Sequence, residues 1–168
     1  EIGFSVRSGG PIGSGADITY SGSVNVAWLV ADMAASTSKP YQAQADADVL
    51  TYPCNGITDV DFEVTAESPN PVSGRDLAAQ PIGHPIFVQA KSGQTLVVDS
   101  VTITGPTGSV LLLPTMTSAN DPNKLLGLHQ AFVIPSSPLT PNTTYTVALT
   151  GTRDGFAFNR NFTFTTRP

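Results

Sequence analysis

The chain has 168 residues, of which 15 are glycine and 14 are proline, and this content of backbone breakers disfavours long helices. A net charge of -5 with only eight Lys and Arg residues excludes nucleic acid as a natural partner, because phosphate binding needs clustered positive charge. Thr, with 20 residues, and Val, with 15, favour the pleated strands of an all-β fold. A hydrophobic fraction of 40% is enough for one or two small cores.

Charge is unevenly distributed along the chain. Residues 1–67 hold nine acidic side chains against Arg7 and Lys39, whereas the remainder holds four acidic and six basic side chains. This change predicts two units, an N-terminal remnant over 1–55 and a second domain over 56–168. Because the chain opens on Glu1 and a strand-like pattern begins at once, we expect it to be part of a longer protein. No apolar run approaches the roughly 20 residues that a membrane helix needs.

The N-terminal remnant is predicted to be short and mostly β. Residues 2–7 alternate like a strand, residues 8–16 (SGGPIGSGA) favour a hairpin loop, and residues 18–30 favour a second strand in which Trp28 packs against a core. The glycine-rich loop lacks the Gly-Lys-Ser/Thr ending of a phosphate cradle. Residues 31–50 have weak periodicity and fit either one short helix or a linker.

Beyond residue 55 the pattern is typical of an antiparallel β-sandwich of about seven strands. The predicted strands are 60–65, 85–91, 94–104, 109–114, 125–134, 144–150 and 156–165. Residues 91–94 favour a tight turn that makes a hairpin of the second and third of these strands. A change of side-chain parity between Val98 and Val101 predicts a β-bulge at Asp99 and Ser100, with Leu96 and Ile103 also facing inward. The proline-rich segment 66–84 is predicted to be an extended surface connection in which Arg75 contacts Asp76 or the backbone.

The closing segment PLTPNTTYTVALTGTRDGFAFNRNFTFTTRP, residues 138–168, resembles the last strands of bacterial immunoglobulin-like and fibronectin-type modules. The resemblance implies an Ig-like sandwich in which Leu139 plugs one end of the core. Tyr145 would bury its ring and use its hydroxyl to tie a corner to nearby backbone. Phe158, Phe162 and Phe164 would occupy apolar positions of the final strand.

A longer resemblance links residues 50–168 to the region that follows the CAP (SCP-like, cysteine-rich secretory) domain in some secreted bacterial proteins. It is carried by TYPC (51–54), PNPV (69–72), PIGHPIFV (81–88), the turn Asn120-Asp121-Pro122 and AFVIPSSPLTPNTTYTV (131–147). The resemblance implies that residues 1–35 are the last strands of a CAP domain and that the protein is secreted or periplasmic. The two His and two acidic residues of the family's cleft lie mainly on earlier helices. Neither His84 nor His129 matches them, so no site residue is carried over.

Three sets of side chains are candidates for a chemical site. The first set is a group of four aspartates, here called the acidic quartet, which could supply oxygen ligands to Ca²⁺. The spacing of an EF-hand is absent, so a solvated acidic surface is the favoured interpretation. His84 and His129 would bind zinc only if folding brought them together with further ligands. An aromatic glycan platform would use the three tyrosines. The quartet is Asp46, Asp48, Asp59 and Asp61, and the tyrosines are Tyr20, Tyr41 and Tyr52.

Cys54 is the single cysteine, so no disulfide forms within the chain. Its favoured interpretation is a small buried hydrophobic side chain, the alternatives being a disulfide to a cysteine outside this chain and a catalytic thiol. We therefore predict no catalytic, cofactor-binding or metal-binding residue and no cofactor.

The function that the sequence favours is that of a non-enzymatic extracellular module. It would act as a spacer or as an interaction surface for a protein or a cell-surface glycan, and a preceding CAP domain is a further candidate for contact. A carbohydrate-binding module is the first alternative. A fragment of a CAP-related hydrolase or lipid-binding protein is the second.

Overall fold

The computed structural model describes the backbone of residues 3–12 and 19–28, and residues 44–168 in full. The chain forms two compact units, Glu1–Ala43 and Gln44–Pro168. Residues 31–43 of the segment predicted to be a helix or a linker lie outside the described residues. Residues 44–49 that follow contain a turn but no helix or strand.

The described part of the first unit is an antiparallel pair of strands, β1 (Gly3–Ile12) and β2 (Thr19–Trp28). Their register runs from Gly3 opposite Trp28 to Ile12 opposite Thr19, with an irregularity at Gly9 and Gly10. The prediction that the hairpin loop begins at residue 8 is therefore wrong, because β1 continues to Ile12. Glycine lacks a Cβ, so Gly9 and Gly10 can adopt a bulge inside the ladder instead of ending it.

The second unit is all-β and consists of two sheets. Its strands are β3 (Leu50–Tyr52), β4 (Ile57–Val60), β5 (Ile86–Gln89), β6 (Leu96–Gly105), β7 (Gly108–Ser109), β8 (Met116–Thr117), β9 (Gln130–Val133), β10 (Thr144–Arg153) and β11 (Phe156–Thr166). The five-stranded sheet has the order β4-β11-β10-β6-β7, and the four-stranded sheet has the order β3-β5-β9-β8. Neighbouring strands are antiparallel except for β4 and β11, which are parallel. This arrangement confirms the prediction of an all-β, mostly antiparallel fold with two sheets.

One sheet connection differs from the prediction. The turn at residues 91–94 exists, since Gln94 N–H donates to Lys91 O at 3.0 Å and Gly93 has a φ of 93°. However, β5 and β6 belong to different sheets, so the turn carries the chain across the sandwich and the predicted hairpin is wrong. Alternation within a strand specifies which side chains face the core, but it does not specify the sheet that the strand joins.

Three predicted strands are shorter than expected. The run 60–65 contributes only Val60, the last residue of β4. The run 109–114 contributes only the end of β7, and the run 125–134 enters the sheet only from Gln130. The buried carboxylate of Asp121 accepts backbone N–H bonds from Asn123, Leu125 and Leu126. These donors hold residues 123–126 in a compact loop, so that part of the run does not join a β-ladder.

The predicted β-bulge is confirmed. Thr150 pairs with Ser100 and Gly151 pairs with Val98, which leaves Asp99 as the extra residue of β6. Leu96 and Ile103 are buried, and Val98 and Val101 pack against the core from partly buried positions. A Cβ on Gly151 would collide with the carbonyl oxygen of Val97, so the partner strand carries a glycine beside the bulge.

The core lies between the two sheets and is filled by aliphatic and aromatic side chains. The largest fully buried ones include Ile86, Val88 and Val133 from one sheet, and Ile103, Val147, Leu149 and Phe164 from the other. These side chains come from both sheets, as expected for a sandwich. A smaller apolar cluster of Leu77, Ile82, Met116 and Ile134 lies beneath the connection between β4 and β5.

The corner around Tyr145 also follows the prediction. Its ring is buried and stacks on Phe164 with a centroid distance of 5.6 Å, while its hydroxyl accepts the Thr140 N–H at 2.8 Å. Leu139, which is 4% exposed, joins the main core as expected for an end plug. These contacts fasten the turn before β10 to the core.

Candidate functional site

The acidic quartet is dispersed in the structure. Asp46 pairs with Lys91 Nζ at 2.6 Å, and Asp61 pairs with Arg167 at 2.8 Å. The hydrogen bond from Lys91 and its positive charge lower the pKa of Asp46. Asp48 accepts the Ala45 N–H, and Asp59 lies exposed in β4. Within residues 44–168, no three His, Cys, Asp or Glu side chains come together as a metal site.

The two histidines lie near opposite ends of the β5–β9 pair. His84 is two residues before β5, whose Ile86 pairs with Val133, and His129 is one residue before β9, beside Ala90. At about 3.3 Å per residue, this places their backbones roughly 20 Å apart along the strands. The sequence predicts His129 inside a strand, whereas the residue occupies the turn before β9. Folding therefore does not bring the two imidazoles together.

A small polar corner, formed by Tyr52, Asp61 and His84, is the strongest candidate site in the described part of the chain. The rings of Tyr52 and His84 are 5.7 Å apart and tilted by 57°. The Nδ1 atom of His84 is buried and has no hydrogen-bond partner among the described residues. Asp61 is half-exposed and bound to Arg167, so its charge is partly balanced.

Burial favours the neutral forms of two members of the polar corner, His84 and Tyr52, whereas Asp61 forms an ion pair with Arg167. Burial lowers the pKa of His84, and the negative charge of Asp61 opposes this effect without reversing it. The same burial raises the pKa of Tyr52, with smaller contributions from Asp61 and Cys54. A neutral imidazole beside a neutral phenol offers hydrogen-bonding groups, and the neighbouring Asp61 carboxylate is already paired with Arg167.

Cys54 is exposed, so the interpretation as a buried hydrophobic side chain is wrong. It follows the buried Pro53 in the turn between β3 and β4, and its Sγ lies 3.7 Å from the Thr51 carbonyl oxygen. The thiol therefore faces solvent and backbone. A disulfide to a cysteine outside this chain remains a prediction.

The predicted tyrosine platform is only partly described. Tyr41 and the side chain of Tyr20 lie outside the described residues, although the backbone of Tyr20 belongs to β2. Tyr52 is half-buried against His84, so its ring is not a freely exposed flat platform. Tyr145, the fourth tyrosine, is a core residue.

The most extensive uniform surface was not predicted. The outward side chains of β6, β10 and β11 form three adjacent columns of mostly hydroxyl, amide and small apolar groups, here called the threonine face, and the exposed bulge residue Asp99 lies beside the β6 column. Its members are Val97, Ser100, Thr102 and Thr104 in β6, Thr144, Thr146, Ala148, Thr150 and Thr152 in β10, and Ala157, Asn159, Asn161, Thr163 and Thr165 in β11. Hydroxyl pairs join the columns at Ser100–Thr150 (2.7 Å) and Thr144–Thr165 (2.8 Å). The alternating Thr of β10 was a usable sequence signal, but the alignment of the columns depends on register.

The side chains of Arg75 and Asp121 hold the loops around the sandwich through bonds to backbone. The Arg75 guanidinium donates to the carbonyls of Gln80, Pro81 and Ser136, which confirms the predicted backbone contact. Burial raises the pKa of Asp121, but backbone N–H bonds from residues 123–126 outweigh burial and lower it overall. Both side chains therefore act on neighbouring backbone, not on a ligand.

No known family model matches the chain, and no curated protein matches it. The described residues contain no helix long and apolar enough to cross a membrane. The fold and the surfaces described above are therefore the basis for any functional proposal.

Proposed function

We propose that this chain is a non-enzymatic extracellular accessory module whose second unit is an Ig-like sandwich. In this role it acts as a spacer or as an interaction domain of a secreted CAP-type protein. The single observation that carries the proposal is the filled core between the two sheets, in which the side chains of both sheets interlock with little exposure. A densely packed sandwich keeps its outer surfaces in fixed relative positions, which is what a spacer or a presenting module requires.

The strand order supports the Ig-like assignment. In an Ig domain, one sheet has the order A-B-E-D and the other contains C-F-G. Matching β3, β5, β9 and β8 to A, B, E and D, and β6, β10 and β11 to C, F and G, agrees with the order of the four-stranded sheet and of the three central strands of the five-stranded sheet. Tyr145 then stands near the start of strand F, where the tyrosine corner of this architecture belongs.

The proposal is tested by incubating the full chain with purified bacterial cell wall, soluble polysaccharides and ester substrates. The expected result is retention on cell-wall material or no interaction, in either case without turnover above a heat-denatured control. Catalysed turnover that copurifies with the folded chain would overturn the proposal. The assignment to a CAP-type parent is tested by the sequence that precedes Glu1 in the full-length protein. Helices carrying two His and two acidic residues are expected there, and another domain type would refute this assignment.

The threonine face favours a second candidate, a neutral-glycan binding module. Its hydroxyl and amide groups are spaced by roughly 4.8 Å between strands and 6.8 Å along them, so the columns offer neutral hydrogen-bonding groups, with the carboxylate of Asp99 beside Ser100. A ligand that binds only the folded state raises the melting temperature. We expect neutral oligosaccharides to raise the melting temperature of the native chain but not that of the Thr146→Glu variant. The control is Leu111→Glu, which alters an exposed residue outside the face and should respond to glycan like the native chain. Equal melting curves with and without glycan would reject this candidate.

A further inference from the structure

The first and last segments of the second unit lie side by side and run in the same direction. Ala47 O accepts from Arg153 Nε at 3.1 Å, and Val49 O accepts from Arg160 Nε at 2.8 Å. Further along, Asn55 Oδ1 accepts the Thr163 N–H at 3.1 Å. Residues 47–49 and 55–60 therefore lie along the last hairpin and strand, while β3 between them pairs with β5 of the opposite sheet.

The same contact continues through β4. Gly56 N–H donates to Thr163 O at 2.7 Å, and Arg167 N–H donates to Val60 O at 2.8 Å. Between these bonds, β4 pairs in parallel with β11, and the Asp61–Arg167 ion pair follows directly after them. The two segments are thus joined by backbone and side-chain bonds from one end of the sandwich to the other.

This geometry determines how a pulling force acts on the unit. The chain enters at residues 44–47, beside the turn at Arg153, and reaches residue 168 at the opposite end of β11. Tension between residues 44 and 168 pulls segment 47–60 and β11 in opposite directions along their shared axis. The evenly spaced bonds of this parallel pair run across the strands and are then loaded together in shear, whereas strands pulled apart sideways lose their bonds one at a time.

We infer that the second unit bears tension, with the paired segments 47–60 and 153–167 as its clamp. The inference rests on the proposed spacer function and deepens it, because a spacer between a surface and a partner transmits force. Residues behind the clamp are anchored in the core, since Val49, Val60 and Phe164 are all buried there. Sliding of either segment would have to pull these side chains out of the core together with breaking the bonds.

The test compares two pulling directions on the same folded chain in single-molecule force spectroscopy. Cys54→Ser removes the exposed native thiol, and handles are attached either at the two chain termini or at Pro141→Cys and the C-terminus. Pro141 is an exposed turn residue just before β10, so the second arrangement separates adjacent ends of β10 and β11 and opens their bonds sequentially. The rupture force of the second unit is expected to be severalfold higher between the termini. Because both proteins share one fold, equal forces in the two directions would overturn the inference.

A pair of variants locates the clamp. Asn55→Ala combined with Arg160→Ala removes two side-chain bonds between the segments, and we expect it to lower the force between the termini much more than the force in the Pro141 direction. Ser100→Ala combined with Thr150→Val removes a hydroxyl pair between β6 and β10, away from the clamp, and is the matched control. An equal loss of force in both directions would indicate a general loss of stability and contradict the clamp. If the force between the termini is low and no enzymatic turnover is found, the clamp is refuted but the proposed accessory function is not. Enzymatic turnover would refute the accessory function at any measured force.

Discussion

Asp121 makes the strongest single prediction about stability. Its side chain belongs to a residue that is only 8% exposed, and its Oδ2 accepts the Leu125 N–H at 2.6 Å and the Leu126 N–H at 3.0 Å. Asp121→Asn can keep the bond from Oδ1 to the Asn123 N–H but turns an NH₂ group towards the other two donors. With about 1.5–3 kcal/mol for each hydrogen bond to a charged group, losing two should cost about 3 kcal/mol or more.

The measurement is urea denaturation of the full chain, following the transition of the second unit. Asp76→Asn is the matched control, because Asp76 is exposed and accepts only the Ala78 N–H, a bond that asparagine can retain. We expect the control to change the free energy of unfolding by less than about 0.5 kcal/mol. Similar effects of the two substitutions would refute the reasoning that the loop at 121–126 depends on a buried carboxylate.

The pH dependence provides a second check on Asp121. Its pKa is lowered in the folded state, so the unfolded chain binds the proton more tightly. The ionised Asp121 carboxylate therefore stabilises the fold fully at pH values above the ordinary Asp pKa of 3.8. This stabilisation is lost as the pH falls through the lower pKa of Asp121 in the folded state. The difference in stability between the native chain and Asp121→Asn should narrow over that acidic range. A difference that stays constant down to full protonation would contradict the explanation.

Three further predictions concern the core, the bulge and the polar corner. Tyr145→Phe should lower the free energy of unfolding by about 1–2 kcal/mol in urea, because the Thr140 N–H loses its acceptor; an unchanged midpoint would show that water replaces it. Gly151→Ala should destabilise by at least about 1–3 kcal/mol, since its Cβ meets the Val97 carbonyl, and wild-type stability would contradict the close approach of β6 and β10 at this point. Burial lowers the pKa of His84, so the unfolded chain binds its proton more readily and stability should fall as the pH drops below about 6.5. His84→Phe should remove that part of the pH dependence. An NMR titration that gives His84 a pKa of 6.5 or higher in the folded chain would contradict this prediction.

Several elements were predictable because their signals are local. Phe162 and Phe164 were expected at apolar positions of the last strand and are buried, and the parity change in β6 located the bulge at Asp99. The Tyr145 corner was predicted from a resemblance and confirmed by its bond to Thr140. In each case, side chains within a few residues of one another carry the information.

Other features could not be predicted from local patterns. The short strands β7 and β8 have two residues each, too few for any periodicity to be visible. The exposure of Cys54 depends on where the turn between β3 and β4 lies, and composition alone favoured burial for a cysteine. The separation of His84 from His129 follows from the antiparallel register of β5 and β9, which involves residues more than 40 positions apart.

The amino-acid sequence by itself determined that the chain is rich in strands, which faces of the long strands are apolar, and where the tight turns occur. Only the tertiary structure decided which sheet each strand joins, that β4 runs parallel to β11, and that the threonine columns align into one face. The physical reason is range: alternation and turn chemistry act between neighbouring residues, whereas sheet partners are chosen by burying apolar faces that lie far apart in the chain.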